Sequence, residues 1–254
     1  MPSSVRLIQF TDPHLYGDAD GKLRGVATYA SLLAAIEHAR ARHWPCDGIL
    51  ATGDLVQDDA DGYARFRDVF ATLGVPVYCI PGNHDDPSAM ARTLQGAPFQ
   101  LGGVVRWPGW FAVMLDSYLA GKAKGRLAAS ELQMLERALS ENAGSNALIC
   151  LHHHPLRMRS SWLDKVGLEN ADEFFAVLDR HKNVRAVVWG HVHQNHESER
   201  NGVRMLSAPS TCAQFLPLSE LFAIDGRPPG YRWLELKADG SIATAVVWVD
   251  GFAP

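Results

Sequence analysis

The sequence predicts an α/β fold, and two patterns carry the prediction. Apolar runs of strand length alternate with amphipathic stretches of helix length over roughly the first three quarters of the chain. From about Gly202 the alternation gives way to strand-like runs joined by Gly- and Pro-containing turns. No internal repeat, low-complexity segment or long linker interrupts the 254 residues, so residues 1–254 read as one domain with a β-rich C-terminal part.

The elements follow in order. Val5–Phe10 is an apolar run stopped by Thr11-Asp12-Pro13. Thr28 is placed to N-cap a helix reaching about His43, with Leu32, Leu33, Ile36 and Ala39 on one face. Gly48–Ala51 reads as a short buried strand closed by Thr52-Gly53-Asp54. Asp61–Leu73 is helical, and Tyr63, Phe66, Val69, Phe70 and Leu73 form its stripe. Val75–Ile80 is a strand ended by Pro81-Gly82, and Val104–Trp107 with Trp110–Asp116 make a hairpin about Pro108-Gly109. Ser130 and Gln133 can form a capping box on a helix running to about Asn142. Ala147–Leu151 is a strand, Ala171–His181 a helix and Arg185–Trp189 a strand. In the tail, Gly202–Ala208, Tyr231–Leu236 and Ile242–Val249 read as strands.

Composition removes several function classes. Asp and Glu outnumber Lys and Arg by 28 to 24, a net charge of −4 with the 11 histidines neutral. No basic run appears, which argues against a partner gripped through its phosphate backbone, as nucleic acid is. No apolar run approaches the roughly 18 residues of a membrane helix, so a membrane partner is not expected. Met1–Phe10 lacks the basic region and long apolar core of an export signal. Cys46, Cys79, Cys150 and Cys212 are far apart and form no CxxC, so neither a disulfide framework nor a thiolate zinc site is expected, and a reducing cytoplasm fits.

The histidines are concentrated. His14, His84, His152–His154, and His191 with His193 fall in motifs that follow predicted strands: Asp12-Pro13-His14, Gly53-Asp54, Gly82-Asn83-His84-Asp85, His152-His153-His154-Pro155 and Gly190-His191-Val192-His193. Ligands of α/β sheets bind at the C-terminal strand ends, where loops from several strands converge. Each motif offers Asp, Asn or His and none offers Cys, a donor set suited to Fe, Mn, Zn or similar divalent ions. Taken singly the motifs are turns, strand ends or a surface histidine tract; their joint order is what makes them specific.

That order resembles the calcineurin-like metallophosphoesterase superfamily, over the whole chain. Within it, the sequence looks most like the bacterial class III cyclic-nucleotide phosphodiesterases, those acting on 3′,5′-cyclic AMP in particular. Ser161-Trp162-Leu163-Asp164, Pro209–Phe215 and Pro229-Gly230-Tyr231-Arg232 support the narrower likeness. The resemblance implies a four-layer α/β/β/α sandwich of two mixed sheets flanked by helices. It implies two divalent ions, Fe and Mn first, with Zn or Co as alternatives. Asp12, His14 and His193 would hold one ion; Asn83, His191 and a histidine of the triple run would hold the other; Asp54 would bridge both. A gapless match selects His152, which directly follows the Ala147–Leu151 strand, whereas a match anchored on Pro155 selects His153. Two such ions about 3.5–4 Å apart can share a hydroxide that attacks phosphorus in line. His84 would face the phosphoryl oxygens or protonate the departing 3′ oxygen. Asn83, His84, His193 and His196 are the residues expected nearest the substrate. In many relatives an acidic residue three positions after the bridging Asp supports the histidine equivalent to His84; here that position is Gln57, followed by Asp58 and Asp59.

The expected activity is hydrolysis of 3′,5′-cyclic AMP to 5′-AMP. Other readings are a phosphodiesterase for 2′,3′-cyclic nucleotides, glycerophosphodiesters or nucleotide-sugar lipids, and, outside enzymes, a scaffold that has lost its metals. No ligand position is lost here, which disfavours the scaffold. His38, His43 and His181 read as solvated or capping, Cys79 and Cys150 as packing, and Trp107 with Trp110 as hairpin contacts. Asp85 and Asp116 are candidate partners for ligand histidines. The Ser210–Phe215 segment either contacts a nucleotide, with Phe215 offering a face to the base, or supports the loop of His193. The β-rich tail could help form a homodimer or complete the second sheet.

Overall fold

A computed structural model describes residues 4–252. Two six-stranded sheets stand face to face. The first runs in the order Ile242–Trp248, Gly230–Leu236, Val5–Phe10, Gly48–Thr52, Val77–Ile80, Phe99–Leu101. The second runs His196–Arg200, Val203–Ser207, Val184–Trp189, Asn146–Leu151, Trp110–Met114, Gly103–Trp107. Both are mixed: the central strands pair in parallel, and antiparallel partners close both edges of the second sheet and the Ile242–Trp248 edge of the first, whose other edge, Phe99–Leu101, is parallel.

Side-chain alternation explains the layers. On Asn146–Leu151, Leu148 and Cys150 point into the core between the sheets, while Ala147, Ile149 and Leu151 join the outer core under the helices. Val184–Trp189 divides in the same way, with Ala186 and Val188 facing inward and Val187 and Trp189 outward. Strands covered on both faces are apolar throughout, as buried parallel strands are. Helices Thr28–His43, Gly62–Phe70 and Pro87–Thr93 cover the first sheet, and Ala129–Glu141 with Ala171–Leu178 cover the second. The result is the expected four-layer α/β/β/α sandwich.

Several expectations need correction. The capping box does not form: its helix starts at Ala129, so Ser130 lies inside it, and Ala128 caps without a side-chain bond. Thr28 is likewise the first helical residue, after the cap Ala27. The Pro87–Thr93 helix was not expected, although Asp86 accepts from the N–H groups of Ser88 and Ala89 and Pro87 fills the first position, a strong start signal on a helix too short to show periodicity. The polar edge strand His196–Arg200 has no apolar alternation to reveal it. Nor does the tail build the second sheet alone. Val203–Ser207 joins it, but the hairpin Gly230–Leu236 with Ile242–Trp248 extends the first.

Arg232 ties the two sheets together. It is fully buried on the first sheet, and its guanidinium donates to the Ser207 carbonyl at 2.9 Å and to Asn195 Oδ1 at 3.0 Å, just beyond His193. Arg232→Met keeps the apolar stem but strands these acceptors, at an expected cost of about 3 kcal/mol. The check is a lower urea midpoint at unchanged slope.

Candidate active site

All five motifs stand where parallel strands end. Asp12 and His14 follow Val5–Phe10, Asp54 follows Gly48–Thr52, and Asn83 with His84 follow Val77–Ile80, all on the first sheet. His152 follows Asn146–Leu151, and His191 with His193 follow Val184–Trp189, on the second. Adjacent loops are cross-bonded: Asp12 N–H donates to the Gly53 carbonyl and His14 N–H to the Asp54 carbonyl, both at 3.0 Å. His191 N–H donates to both Asp12 carboxylate oxygens, at 3.1 and 3.0 Å, and His84 N–H donates to Asp54 Oδ1 at 2.8 Å. The glycines are steric necessities here. A Cβ on Gly82 would collide with Asp54, and one on Gly190 with Thr11 and Asp12.

The backbone is strained at the same positions. Asp12 (φ 53°), His14 (49°), Asp54 (49°), His191 (67°) and His193 (48°) all occupy the left-handed region. Such conformations cost of order 1 kcal/mol or more each and persist only where surroundings impose them, as at functional sites.

The side chains converge into two groups that meet at Asp54. In one, His193 Nε2 lies 3.3 Å from Asp12 Oδ1 and 3.1 Å from His14 Nε2, and His14 Nε2 lies 3.8 Å from Asp54 Oδ2. In the other, His152 Nε2 lies 3.4 Å from Asp54 Oδ2 and 3.3 Å from Asn83 Oδ1. His191 packs 5.0 Å from His152, ring centre to ring centre. The opposite ring nitrogens are pinned: His152 Nδ1–H donates to the Thr52 carbonyl at 2.8 Å and His193 Nδ1–H to the Ala213 carbonyl at 2.6 Å. This second contact fixes the tautomer and aims Nε2 inward, the usual preparation of a metal-ligating histidine.

Burial pushes His14 down to about 4 despite the pull of Asp54, and pushes His191 well below its ordinary range. Both are therefore neutral, the form that ligates. His14 Nδ1 and His191 Nε2 are buried without a protein partner. Burial opposes charge on His152 too, but Asp54 outweighs it and lifts His152 to about 9. Asp54 in turn is held well below the carboxylate range, because His152 and His14 overcome the effect of burial. A buried, charge-rich set with unpaired nitrogens and nearby carboxylates fits divalent cations.

The triple run divides. His152 is the member whose Nε2 meets Asp54 and Asn83, whereas His153 Nδ1 pairs with Ser117 Oγ at 2.8 Å, its Nε2 is buried without a protein partner, and it groups with His152 and His191. His154 stacks on His191 from behind, at 5.5 Å and 17°.

Gln57 does not leave His84 without an acid. His84 Nδ1 lies 2.8 Å from Asp58 Oδ2, and Gln57 Nε2–H donates to the same oxygen at 2.8 Å. Asp58 reaches back because its own backbone is left-handed, φ 52°. Asp85 and Asp116 do not serve ligand histidines, contrary to expectation. Asp85 accepts from the N–H groups of Leu55 and Gly82 and from Tyr63 Oη, which locks the Asp54 and Asn83 loops together. Asp116 accepts from Tyr118 N–H. His196 is not brought to the cleft: it bonds Ser198 Oγ at 2.8 Å and packs on Trp189.

The donors open into a cavity of about 240 Å³ whose other lining includes Arg24, Ala123, Trp162, Leu163, Val166, Phe215 and Phe222. Of these, sequence reasoning missed Arg24 and Phe222, and read Trp162 only as a likeness. Phe215 stacks flat on His193, centroids 3.9 Å apart at 6°, so it braces that ring instead of presenting the face to a base. A larger cleft of about 560 Å³, lined by Lys124, His154, Lys165 and Glu169 among others, gathers no comparable donor set.

Comparison with known proteins agrees with this geometry. A family model described as calcineurin-like phosphoesterase matches residues 5–195. The chain is 41% identical over 244 residues to a Haemophilus influenzae protein named 3′,5′-cyclic adenosine monophosphate phosphodiesterase CpdA, covering 95% of this chain and 89% of that one. It is 40% identical to the Escherichia coli K12 protein of the same name, with the same coverage. Among solved structures, yellow lupin purple acid phosphatase superposes with a TM-score of 0.70 at 16% identity, over 100% of this chain and 53% of that chain. A dimetal phosphatase from Danio rerio superposes with a TM-score of 0.61 at 16% identity, over 97% and 99%.

Proposed function

Since the chain belongs to the calcineurin-like phosphoesterase family, we propose that it is a metal-dependent phosphodiesterase that hydrolyses 3′,5′-cyclic AMP to 5′-AMP. The observation that carries the reading is the position of Asp54, whose Oδ2 faces His14 at 3.8 Å and His152 at 3.4 Å and so belongs to both donor groups. Asp12, His14 and His193 would hold one divalent ion, Asn83, His152 and His191 the other, and Asp54 both. Oxygen and imidazole donors without thiolate suit Fe and Mn, with Zn or Co also accommodated. When bound, two such ions supply Lewis acidity toward phosphoryl oxygens and lower the pKa of water toward neutrality.

The chain's own residues do the rest. The loop cross-bonds and the carbonyl-anchored histidines preset the site, so little reorganisation accompanies reaction. Asn83 and His84 line the same cavity, where the phosphoryl group would lie. His84 holds Nδ1–H on Asp58, which leaves Nε2 to present a proton to the departing 3′ oxygen. The relatives named for cyclic AMP, at 40–41% identity, support that substrate. The four cysteines are free thiols, which supports a reducing, cytoplasmic place. No helix among the described residues is long and apolar enough to cross a membrane.

The test is a substrate panel on protein of measured metal content: 3′,5′-cyclic AMP, 3′,5′-cyclic GMP, 2′,3′-cyclic AMP and an aryl phosphodiester. Cyclic AMP should be cleaved to 5′-AMP with Mn or Fe present and left intact after chelation. Metal-loaded protein that spares cyclic AMP while cleaving another diester would overturn the substrate. The strained ligand backbone adds a stability prediction. Metal at about a hundred times its Kd stabilises the native state by about 2.7 kcal/mol, so chelation should lower the melting temperature by about 5–10 °C. Scanning calorimetry with and without added Mn measures the difference.

A further inference from the structure

The cavity lined by His14, Asp54, Asn83, His84, His191 and His193 is also lined by an aromatic group, which begins at Phe215 stacked on His193. Trp162 lies 5.3 Å from Phe215 at 74° and 5.1 Å from Phe222 at 79°, and Phe215 lies 5.2 Å from Phe222 at 70°. The three rings meet edge to face. They come from separate excursions, with Phe215 and Phe222 on either side of a small ribbon loop and Trp162 on the segment after the triple histidine run. Ser219 N–H donates to Ser160 Oγ at 3.1 Å and ties the two excursions together. The Arg24 guanidinium sits 4.8 Å above the Phe222 ring, held at a turn where Arg24 and Gly25 both have positive φ.

Phe222 remains 41% exposed, so burial alone does not account for an aromatic ring at this mouth. Trp162 lines the same cavity, and its indole N–H is buried without an acceptor in the protein. An aromatic wall, an unpaired donor and a planar cation with only donors match the flat, acceptor-edged ring of a nucleobase. The polar end cannot supply this recognition, because its donors face the phosphoryl group.

Resting on the cyclic-nucleotide reading above, we propose that Trp162, Phe222 and Arg24 form the base-holding end of the cleft, which takes the purine while Phe215 braces the His193 ring behind the phosphate. Base stacking is sequence-tolerant, so this end adds affinity for nucleotides over base-free diesters more than it separates one purine from another.

The experiment compares the metal-loaded parent with Phe222→Ala and Trp162→Phe on two substrates, 3′,5′-cyclic AMP and methyl ribofuranoside 3′,5′-cyclic phosphate, which has the reacting ring but no base. Calorimetric binding of 5′-AMP and ribose 5-phosphate gives a readout apart from turnover. Phe222→Ala should raise KM for cyclic AMP and Kd for 5′-AMP by about tenfold, and leave both base-free ligands within about twofold. Trp162→Phe keeps a ring and loses the N–H, so it should show a smaller loss confined to the base-bearing ligands. Equal losses on both substrates, or no loss on cyclic AMP, would overturn the base-holding role while the parent's hydrolysis of cyclic AMP stands. A parent that fails to cleave cyclic AMP would instead overturn the substrate reading, and the subsite with it.

Discussion

Asp54→Asn is expected to lower cyclic AMP turnover by about a thousandfold or more, since a metal ion contributes several kcal/mol to the transition state. The substitution is nearly isosteric. Its remaining oxygen can still accept the His84 N–H now bonded to Oδ1 at 2.8 Å, so the loop should keep its path. What disappears is charge. Among the proposed ligands only Asp12 and Asp54 are carboxylates, and removing Asp54 leaves two divalent ions facing a single negative side chain. Asp12 cannot move to compensate, because Thr11 Oγ donates to it at 2.6 Å and the His191 N–H binds both its oxygens. Bound metal should fall from two ions per chain to one or fewer, by elemental analysis of protein whose circular dichroism is unchanged. Full metal content with full activity would remove Asp54 from the bridging position.

Much of the frame was readable because the same alternation that builds the layers also places the chemistry. A strand buried on both faces ends abruptly, and the polar residues that end it stand at the rim by necessity. Asp12, Asp54 and His191 follow such strands directly. What the sequence could not show was backbone conformation. Nothing in Gly190-His191-Val192-His193 announces two left-handed residues, although these determine where both rings point. His152 could not be separated from His153 by spacing alone; the separation depends on the Thr52 carbonyl receiving one ring and Ser117 the other. Asp58 was hidden for a similar reason, since its left-handed backbone turns a residue one place too late in the chain back onto His84. The aromatic end was least legible, because Arg24, Trp162 and Phe222 lie on irregular loops and share no periodicity.

His84→Gln is expected to reduce turnover of cyclic AMP by about 10²–10³-fold, the usual worth of a positioned general acid. The argument depends on the leaving group. Opening a 3′,5′-cyclic diester expels a ribose 3′ alkoxide, a strong base that needs a proton as the bond breaks. With bis(4-nitrophenyl) phosphate the departing aryloxide is stable without one, so the same variant should lose only about tenfold there. Metal content should not change, because His84 stands beside the proposed ligands and its Nδ1 is committed to Asp58. Asp58→Asn should reproduce a milder form of the same split, since the carboxylate orients the ring through Nδ1 without touching the phosphate. The Gln57 amide already lies 2.9 Å from His84 Nδ1, and a flip that brings its Oε1 to the ring would supply an acceptor in place of the carboxylate, which limits the loss. Steady-state kcat on both substrates decides the matter. A loss that is equal on alkyl and aryl diesters would mean that His84 binds a phosphoryl oxygen and gives up no proton, and the acid would then have to be sought among water held at the site.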